Sequence, residues 1–491
     1  MEGTQDIDFC GRVLDNVHGF IYYTMAEERI MNTLLFKRLQ SIKQLSIVNW
    51  VFPGSEHTRY IHSLGVMYIA DKMALQLKLS PEHRKIVRLA GLLHDIGHYP
   101  LSHVCEHPYK ESLEDFPDHE YCMSINRKVK SDIDELRENK SHIYMKKSNG
   151  CHHEQIGADI VCNNKEIKDI IKNECGENAV EMIADMITGN AERTDPLLIQ
   201  ILHSELDADG IDYLMRDAMF SGTSFGAFEL EQLIGCMCSG RYKDIDILCI
   251  SPKGIAAADQ YLINKFFSYS QVVFNKHISA TEWMAEQIVN WMQRNNAYFP
   301  CSSKLKKWVM SAQTPDAYID FTDNYFWASL QNLLENPLVD TEPSFIKYFC
   351  RQLLHHSELT FENNSEVKIV STDMKVIRDE LKASNYYERL VAWRDRIGIL
   401  NIRSISKQIR QNDFDSMLQA KIQEDNKRPN DPDSVTEEDS TMLQARRLME
   451  CICVKEGDDI HLLCDDKRSM MQTMYNLKLA IFRTYQCKPE C

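Results

Sequence analysis

The most constraining feature of this sequence is a group of histidines at the end of an apolar run. The run Ile86 to Leu93 (IVRLAGLL) predicts a buried helix. His94 and Asp95 follow it directly, and His98 and His103 complete a set of three histidines and one carboxylate within ten residues. Imidazole and carboxylate ligands together suit Zn, Mn, Fe or, less comfortably, Mg. The sequence therefore predicts a divalent-metal site here.

Two neighbouring ligands do not complete a coordination sphere, so others must come from elsewhere in the chain. Upstream, His62 lies near the first turn of a further predicted helix. Downstream, the first part of the helix predicted for Asp207 to Met219 carries three carboxylates, on Asp207, Asp209 and Asp212. Of these, Asp207 and Asp212 can instead be a helix cap and a salt-bridge partner. A single histidine in an apolar helix is more often a packed core residue or a surface residue than a ligand.

The order of these residues, together with their neighbours, resembles the HD-domain phosphohydrolases. The likeness is closer to the deoxynucleoside triphosphate triphosphohydrolases, meaning the SAM-and-HD-domain enzyme and its bacterial dGTPase-like relatives. It covers roughly the first 290 residues and rests on Val17-His18-Gly19, on segments 36–45 (FKRLQSIKQL), 51–66 (VFPGSEHTRYIHSLGV), 91–103 (GLLHDIGHYPLSH) and 207–217, and on His153-Glu154-Gln155. The resemblance implies that the ligands of a divalent metal are His62, His94, Asp95 and Asp209.

The same resemblance implies a reaction and the residues that carry it. In this family the metal lies by the α-phosphate of a dNTP, and the products are a deoxynucleoside and inorganic triphosphate. His103 is then the candidate general acid, and His153 held by Glu106 is the candidate catalytic dyad. His98 is a phosphate-contacting residue or an auxiliary acid/base. Because the family usually has aspartate where Glu106 stands, a solvated helix residue is the alternative for Glu106.

Two cations are candidates for binding phosphate. Arg59 fits a phosphate clamp, since a guanidinium can bind two oxygens at once, and a structural salt bridge is its alternative. Lys276 falls near a His-Lys position of the family, where Asn275 replaces the histidine. Gly210 replaces a basic residue of the SAM-and-HD-domain enzyme beside the ligating aspartate, which removes one phosphate contact.

Four residues are candidates for sugar recognition. By resemblance, Gln44 and Leu45 lie against the deoxyribose and leave no space for a 2′-hydroxyl. Tyr213 and Asp217 then contact the other edge of the sugar, since a buried tyrosine combines a flat apolar face with a hydroxyl. Leu45 and Tyr213 can equally be ordinary core residues.

The chain is predicted to be mostly α-helical, with an HD-domain helical core and a smaller α+β C-terminal region. The predicted units are an HD phosphohydrolase domain over 1–298, an α+β extension over 299–423, a disordered loop over 424–441 and a strand and helix segment over 442–491. A polar segment at 127–150 is predicted to be a mobile insertion, either a lid or a solvated loop. Periodicity predicts single helical stretches over Met25 to Val48 and Ala256 to Met292, and strands over Asp244 to Ser251 and Val367 to Ser371. Leu477 to Tyr485 is predicted to be apolar on one face.

Composition limits the partners and the compartment. A net charge of −16 argues against broad nucleic-acid binding, which depends on neutralising phosphates. No apolar stretch approaches the ~20 residues needed to span a bilayer, and no signal peptide is recognised, so a cytoplasmic protein is predicted. The sixteen cysteines are scattered and are expected to be reduced.

The predicted substrate is a dNTP, and the chain is expected to form a homo-oligomer. A nucleotide activator is a further partner that the resemblance suggests. Guanine-specific activation is not expected to transfer, because Phe20, Asn32 and Gln40 depart from the activating-site residues of the SAM-and-HD-domain enzyme. The alternative function is another HD phosphohydrolase, acting on a nucleotide second messenger, a phosphomonoester or single-stranded nucleic acid, or a nucleotide sensor with weak activity.

Overall fold

Helices supply most of the secondary structure, as predicted. The structure is a computed structural model that describes residues 7–110, 152–191, 193–295, 297–336, 345–369, 396–416, 444 and 447–486. Small sheets accompany the helices, so the predicted fold class, mostly α with a smaller α+β region, is confirmed. The predicted insertion at 127–150 and the predicted loop at 424–441 lie outside the described residues.

The helices are numbered here in chain order. They are α1 Met25–Asn32, α2 Leu34–Lys37, α3 Arg59–Gln76, α4 Pro81–Leu93, α5 His103–Lys110, α6 His153–Asn163, α7 Lys165–Cys175, α8 Ala179–Thr188, α9 Pro196–Gln200, α10 Ala208–Ser221, α11 Leu230–Gly235, α12 Ile255–Ser268, α13 Lys276–Arg294, α14 Ser302–Val309, α15 Asp316–Ile319, α16 Asp323–Leu334, α17 Phe345–Leu354 and α18 Met471–Met474. Single 3-10 turns lie at Arg38–Ser41, Val48–Trp50, Pro252–Gly254 and Leu463–Asp465.

The strands form three small sheets. They are β1 Gly11–Asp15, β2 Gly19–Tyr23, β3 Met237–Tyr242, β4 Ile245–Ile250, β5 Thr360–Ile369, β6 Arg396–Ser404, β7 Cys453–Glu456, β8 Asp459–Leu462 and β9 Lys478–Gln486. β1 and β2 make an antiparallel hairpin, the second sheet has the order β3-β4-β7-β8, and the third has the order β5-β9-β6.

Helices α3, α4 and α10 position the predicted metal ligands. α3 packs against both α4 and α10. The approach of α3 to α10 depends on Gly65, because a Cβ atom there would lie 1.9 Å from Oδ1 of Asp212. α4 starts at Pro81 behind the N-cap Ser80, whose hydroxyl accepts from the His83 amide, and Leu93 ends it beside His94. The three helices therefore meet at the end of the apolar run that the sequence singles out.

The single helix predicted over Met25 to Val48 is wrong. The helix stops at Asn32 because Thr33 adopts extended backbone angles, φ −66° and ψ 148°. The Thr33 hydroxyl then accepts a hydrogen bond from the Phe36 amide and starts the short helix α2. Apolar spacing continues through this break, which is why periodicity alone joins the pieces.

The long helical pattern predicted over Ala256 to Met292 is also interrupted. α12 passes into a π-helical segment at Tyr269–Val273, and a new helix begins after Asn275, whose side chain accepts from the His277 amide. The prediction for Leu477 to Tyr485 is wrong in its pattern of burial: β9 is buried at eight successive positions. Because successive side chains of a strand point to opposite faces, this burial means that β9 is covered on both faces.

The C-terminal strands are built onto the N-terminal half of the chain. β7 pairs in parallel with β4, with Cys249 opposite Cys453 and Ile250 opposite Val454. Buried residues from both halves, among them Val66 and Phe482, belong to one hydrophobic cluster. The predicted domain boundary at residue 298 stays a prediction. Within the described residues, no helix is long and apolar enough to cross a membrane.

Candidate active site

Three predicted metal ligands from three different helices converge. His62 comes from the first turn of α3, His94 directly follows α4, and Asp209 lies in the first turn of α10. The Nε2 atom of His62 is 2.9 Å from Oδ1 of Asp209, and Nε2 of His94 is 3.7 Å from the same oxygen. The structure thus brings together two imidazole nitrogens and one carboxylate oxygen that lie far apart in the sequence.

Asp95, the fourth predicted ligand, lies beside these three. Its Oδ1 is 3.4 Å from Nε2 of His94, and its Oδ2 is 3.8 Å from Nε2 of His62. Oδ2 also accepts a 2.5 Å hydrogen bond from Arg59. Burial alone would raise the pKa of the Asp95 carboxyl, but Arg59 and the surrounding imidazoles hold it well below its usual range. Asp95 is therefore a carboxylate, as a metal ligand must be.

The orientation of both imidazoles fits a metal. A carboxylate or carbonyl oxygen can only accept, so Nδ1 of His62 donates to Asp212 at 2.7 Å and Nδ1 of His94 donates to the Gly91 carbonyl at 2.8 Å. Each ring is thus held with Nε2 directed to the cluster, as metal-ligating histidines are. Nε2 of His94 is buried and has no hydrogen-bond partner among the described residues. The residues present fit a divalent cation held by two histidines and two aspartates.

The charges around His62 also favour a cation. Burial opposes protonation of this imidazole, but its hydrogen bonds to Asp209 and Asp212 outweigh burial and raise its pKa to about 10. The carboxylates therefore attract positive charge to this position, and a metal ion competes with a proton for it.

Asp212 links the cluster to a buried network that sequence reasoning did not assign. Its carboxylate accepts from His62, from Nε2 of His18 at 2.5 Å and from Nε of Arg216 at 2.8 Å. Arg216 in turn binds Asp15 at 2.7 Å. The four-residue spacing of Asp212 and Arg216 on one helix predicts their pairing, which was among the alternatives. No local signal links His18 to this site, although it lies in a segment that carries the resemblance.

Asp207, the remaining carboxylate of this segment, is a helix cap. Its Oδ1 accepts from the Gly210 amide at 2.7 Å at the start of α10. The three aspartates thus have different roles: Asp207 caps α10, Asp209 belongs to the histidine cluster and Asp212 pairs with Arg216. These roles follow from their positions on the first turns of one helix.

A second histidine cluster lies next to the first. Glu106, fully buried, accepts from Nδ1 of His103 and from Nδ1 of His153, both at 2.9 Å. It also accepts from the His153 backbone amide at 2.9 Å. One glutamate thus holds two imidazoles, and the predicted contact between Glu106 and His153 is present despite the longer side chain. His103 is the outermost member, with 61% of its side chain exposed.

The two partners in this contact are oppositely charged. Burial raises the pKa of Glu106, but His153 and His103 hold it well below its usual range. For His153, burial acts against the charged form, yet the carboxylates of Glu106 and Glu154 raise its pKa to about 9. At neutral pH the pair is an imidazolium and a carboxylate.

His98 joins the two clusters. Its ring stacks on that of His153 with centroids 4.1 Å apart, and its Nε2 lies 3.7 Å from Oδ1 of Asp95. Both ring nitrogens are buried and lack a hydrogen-bond partner among the described residues. Burial, reinforced by Arg59 and His153, holds the pKa of His98 well below its usual range. His98 is a neutral imidazole that faces the space between the clusters.

Arg59 lies at the site but is held in an ion pair. Besides its hydrogen bond to Asp95, its Nε donates to the Ser102 hydroxyl at 2.8 Å, and Ser102 donates to the Lys43 carbonyl at 2.8 Å. Leu101 and Ser102 both have positive φ angles, 48° and 53°. The turn before α5 is thus fixed against Arg59.

Three of the predicted sugar-binding residues differ in what surrounds their side chains. The side-chain oxygen of Gln44 is buried without a hydrogen-bond partner among the described residues. Leu45 packs beside a small apolar cluster that contains Val272. Asp217 accepts from Nε2 of His57 at 2.8 Å, so one of its oxygens is engaged.

The other two predicted substrate-binding residues lie near cations or aromatic rings. Tyr213 is half-buried, with the Lys265 ammonium 5.4 Å from its ring centre. Lys276 begins α13, and its ammonium lies 4.8 Å from the ring centre of Phe361 in β5. The structure thus places Lys276 against the C-terminal region.

Comparison with known proteins gives one family match and relatives that are similar over only part of their length. The HD domain family matches residues 59–216, which include all four predicted metal ligands. An uncharacterized protein of Mycoplasma pneumoniae is 27% identical over 323 residues, which cover 62% of this chain and 68% of that protein. A protein of Dictyostelium discoideum named as a deoxynucleoside triphosphate triphosphohydrolase SAMHD1 homolog is 27% identical over 239 residues. The match covers 45% of this chain and 40% of that relative.

One solved structure shares the fold over nearly the whole chain. A hypothetical protein from Aquifex aeolicus superposes with a TM-score of 0.62 at 18% sequence identity. The superposition covers 97% of this chain and 96% of the other, so the arrangement of the C-terminal region on the helical core also recurs there.

Proposed function

Because the chain carries an HD domain and resembles the deoxynucleoside triphosphate triphosphohydrolases, we propose that it hydrolyses dNTPs to a deoxynucleoside and inorganic triphosphate. The family match and the triphosphohydrolase relative support the coarser statement that it is a metal-dependent HD-superfamily phosphohydrolase. The proposed step is attack of water on the α-phosphate, with the 5′-oxygen of the nucleoside as leaving group.

The observation that carries this proposal is the contact between two differently built clusters. The first, made of His62, His94, Asp95 and Asp209, has the donor set of a divalent-metal site. The second, made of His98, His103, Glu106 and His153, has the donor set for moving protons. His98 lies 3.7 Å from Asp95, so one phosphoryl group can contact both. Phosphoester hydrolysis needs electrophilic assistance and a proton donor on the same group.

A divalent cation at the first cluster supplies Lewis acidity toward a phosphoryl oxygen and lowers the pKa of a water molecule. The chain's own residues do the remaining work. Asp212 and the Gly91 carbonyl fix the two ligating rings. Neutral His98 offers a nitrogen to a phosphate oxygen or to the attacking water. Arg59, fixed by Asp95 and Ser102, adds positive charge beside the reacting group.

The leaving oxygen requires a proton, which we assign to the His103, Glu106 and His153 group. His153 is charged at neutral pH because its pKa is raised to about 9, so it holds a proton close to His98 and His103. The exposed side chain of His103 gives a departing nucleoside access to solvent at this position. We assign His103 as general acid, with His153 and Glu106 maintaining the proton supply.

Selection of deoxyribose belongs to the same proposal. Gln44 and Leu45 would lie on one side of the sugar, and Tyr213 and Asp217 on the other. The unpartnered Gln44 oxygen and the half-buried Tyr213 support this assignment. Lys276 remains a candidate phosphate contact, and a nucleotide activator and a homo-oligomeric assembly remain predictions from the resemblance.

The test is chromatography of the products formed by the purified full-length chain. Each dNTP and each NTP is incubated singly and in mixtures, with Mn, Mg, Fe or Zn in turn. The expected result is a deoxynucleoside and intact triphosphate, with dNTPs preferred over NTPs. Stimulation seen only in mixtures identifies an activating nucleotide.

Other products would overturn the proposal in defined ways. Orthophosphate or pyrophosphate would indicate an HD phosphohydrolase of another specificity. Shortened oligonucleotides, formed when a single-stranded nucleic acid is added as a further substrate, would indicate the same. Failure to turn over any dNTP or NTP with any metal would point to a different phosphorylated substrate or to a nucleotide sensor.

A further inference from the structure

A cavity apart from the two histidine clusters lies between the N-terminal half of the chain and the helices that follow it. Its volume is about 210 Å³, and Trp50, Trp327 and His356 line it. The Trp50 ring stacks on that of His356 with centroids 4.4 Å apart, and its centroid is 6.2 Å from that of Trp327. His356 is exposed, so it lies at the mouth. The cavity therefore offers flat aromatic surface to a small group that enters from solvent.

A buried carboxylate also lines this cavity. Asp323, which is 6% exposed, is the first residue of α16. Its Oδ1 accepts from the Leu101 amide at 2.7 Å, and its Oδ2 accepts from the Lys43 amide at 2.9 Å. The Lys43 ammonium pairs with Glu56 at 2.6 Å, and no basic side chain of the described residues forms an ion pair with Asp323. The two amides thus fix the direction of the carboxylate without neutralising its charge.

Asp323 keeps its charge at this buried position. Burial raises the pKa of its carboxyl to about 6, while the two amides and the charges of Lys43 and Arg59 act to lower it. At neutral pH the group is therefore mostly a carboxylate. A buried charge without a counter-ion is unfavourable, so a cation that enters the cavity is stabilised there.

Two further oxygens at the cavity lack a hydrogen-bond partner among the described residues. They are Oγ of Ser46, a residue that is 5% exposed, and Oδ1 of Asn49. The side-chain nitrogen of Asn49 donates to Glu56 at 2.7 Å, so only its oxygen is without a partner. Buried polar atoms are normally hydrogen-bonded, and each of these oxygens is a position where a bound ligand can donate. Each oxygen of Asp323 can also accept a second bond, since it has two lone pairs.

We propose that this cavity binds a guanidinium group, carried by a small molecule or by an arginine side chain of a partner protein. A guanidinium is planar and always charged, and it carries several N–H donors. Its flat face can stack on the aromatic wall while its edge donates to Asp323 and to the unpartnered oxygens. An ammonium has the same charge but no flat face, so it fits this wall less well. The inference concerns binding and does not depend on the proposed function.

The cavity is connected to the candidate active site through Asp323. Leu101, which donates to Asp323, directly precedes Ser102. The Ser102 hydroxyl accepts from Arg59 and donates to the Lys43 carbonyl, both at 2.8 Å. Asp323 therefore connects the proposed ligand site to the turn that precedes α5.

The test measures binding of propylguanidine to the full-length protein by saturation-transfer NMR. One equivalent of Zn is present, so that the carboxylates of the first cluster do not offer a competing cation site. Saturable binding is expected. Propylammonium, which has the same charge, is expected to bind at least tenfold more weakly, which corresponds to about 1.4 kcal/mol. Absence of saturable binding, or equal affinity for the two probes, would overturn the inference.

Variants of the cavity locate the binding. Asp323→Asn removes the charge at nearly constant volume and is expected to weaken propylguanidine binding at least tenfold. The matched control is Asp259→Asn. Asp259 is another buried carboxylate, 4% exposed, and it accepts from the Ser469 hydroxyl at 2.6 Å and from the Met470 amide at 2.8 Å. This control is expected to bind as the wild type does.

A second variant separates a binding role from a folding role. His356→Ala removes an exposed ring at the mouth of the cavity, so it should melt as the wild type does and bind propylguanidine several-fold more weakly. Thermal melting shows whether Asp323→Asn is folded, and His356→Ala decides if it is not. Unchanged binding in His356→Ala, or in a folded Asp323→Asn, would overturn the inference.

A third probe distinguishes the two sources of the guanidinium. Nα-acetylarginine methylamide carries the propylguanidine group on a peptide backbone. Binding as tight as that of propylguanidine would support an arginine of a partner protein. Binding at least tenfold weaker would show that the cavity excludes the backbone and would support a small molecule.

Discussion

One carboxylate oxygen of Asp209 lies near the Nε2 atoms of both candidate metal-binding histidines. Its Oδ1 lies 2.9 Å from His62 and 3.7 Å from His94. Asp209→Ala should abolish turnover and lower bound metal, since the cluster loses the oxygen shared by both imidazoles. Metal content by elemental analysis and turnover of dNTPs check this. Asp195→Asn is the control, because Asp195 caps α9 and asparagine caps a helix equally well. Normal activity in metal-replete Asp209→Ala would remove Asp209 from the ligand set.

Asp212 acts through His62 rather than on substrate. Asp212→Asn keeps the volume but removes the charge that fixes the His62 ring, so metal affinity should fall about 10–100-fold. Competition with a fluorescent chelator measures the affinity, and excess metal should restore much of the activity. The control is Asp185→Asn, which alters another buried carboxylate paired with an arginine, Arg193, at 2.7 Å. Equal losses in the two variants would indicate a purely structural role for Asp212.

The contact between His153 and Glu106 should make stability depend on pH. The pKa of His153 is raised from 6.5 to about 9, so the folded state binds more protons than the unfolded state between these values. The stabilisation is complete below pH 6.5 and is lost as the pH rises through about 9, with an upper limit of order 3 kcal/mol. Denaturant unfolding at several pH values across this range measures the difference in the free energy of unfolding between the wild type and His153→Asn. Glu106→Gln should flatten this dependence of stability on pH. An unchanged dependence in Glu106→Gln would contradict the assignment of the effect to the Glu106 carboxylate.

At the scale of elements, the turn after α4 must lie against α6. A Cβ atom at Gly97 would be 2.2 Å from the His153 carbonyl oxygen and 2.4 Å from the Gly157 amide nitrogen. Gly97→Ala should therefore displace α6 and its first residue, His153, from the cluster. We expect a loss of about 1–3 kcal/mol in the free energy of unfolding and a larger fractional loss of turnover.

Gly235→Ala is the matched control for this prediction. Gly235 is the last residue of α11, and a Cβ atom there would meet no heavy atom within 4 Å. Thermal melting and turnover are compared for both variants. If Gly97→Ala melts and turns over substrate as the wild type does, α6 can shift without loss of stability or activity.

For the whole molecule, the expected result is that the HD segment does not fold stably alone. A chain truncated after residue 298 exposes the edge of β4 that pairs with β7 and leaves Glu205 without its three donors. The truncated chain should be aggregated or should melt well below the full-length protein. Deletion of 424–441, whose composition predicts a linker, is the control and should cost little. A stable, cooperatively melting 1–298 fragment would support the predicted domain boundary.

The local chemistry of the candidate site was accessible from the sequence. The run that ends in His94 and Asp95 predicted a buried helix with metal ligands, and the helix is observed at Pro81–Leu93. The apolar period and the capping residues act within one or two helical turns, so these features need no tertiary information. The order of His62, His94, Asp95 and Asp209 then pointed to a family, because ligand types at this spacing are rarely combined by chance.

Tertiary structure alone decided which distant residues contact the candidate site and how the strands of the C-terminal region are buried. The contact of His18 with Asp212 spans 194 residues, and that of Arg403 with Tyr269 joins the two halves of the chain. Both edges of β9 are paired, with β5 and with β6, and both of its faces are buried. No periodicity or cap encodes such contacts, because they arise only when distant segments pack together. The sequence by itself predicted the candidate ligands and the helices that carry them, and packing decided which buried charges surround them.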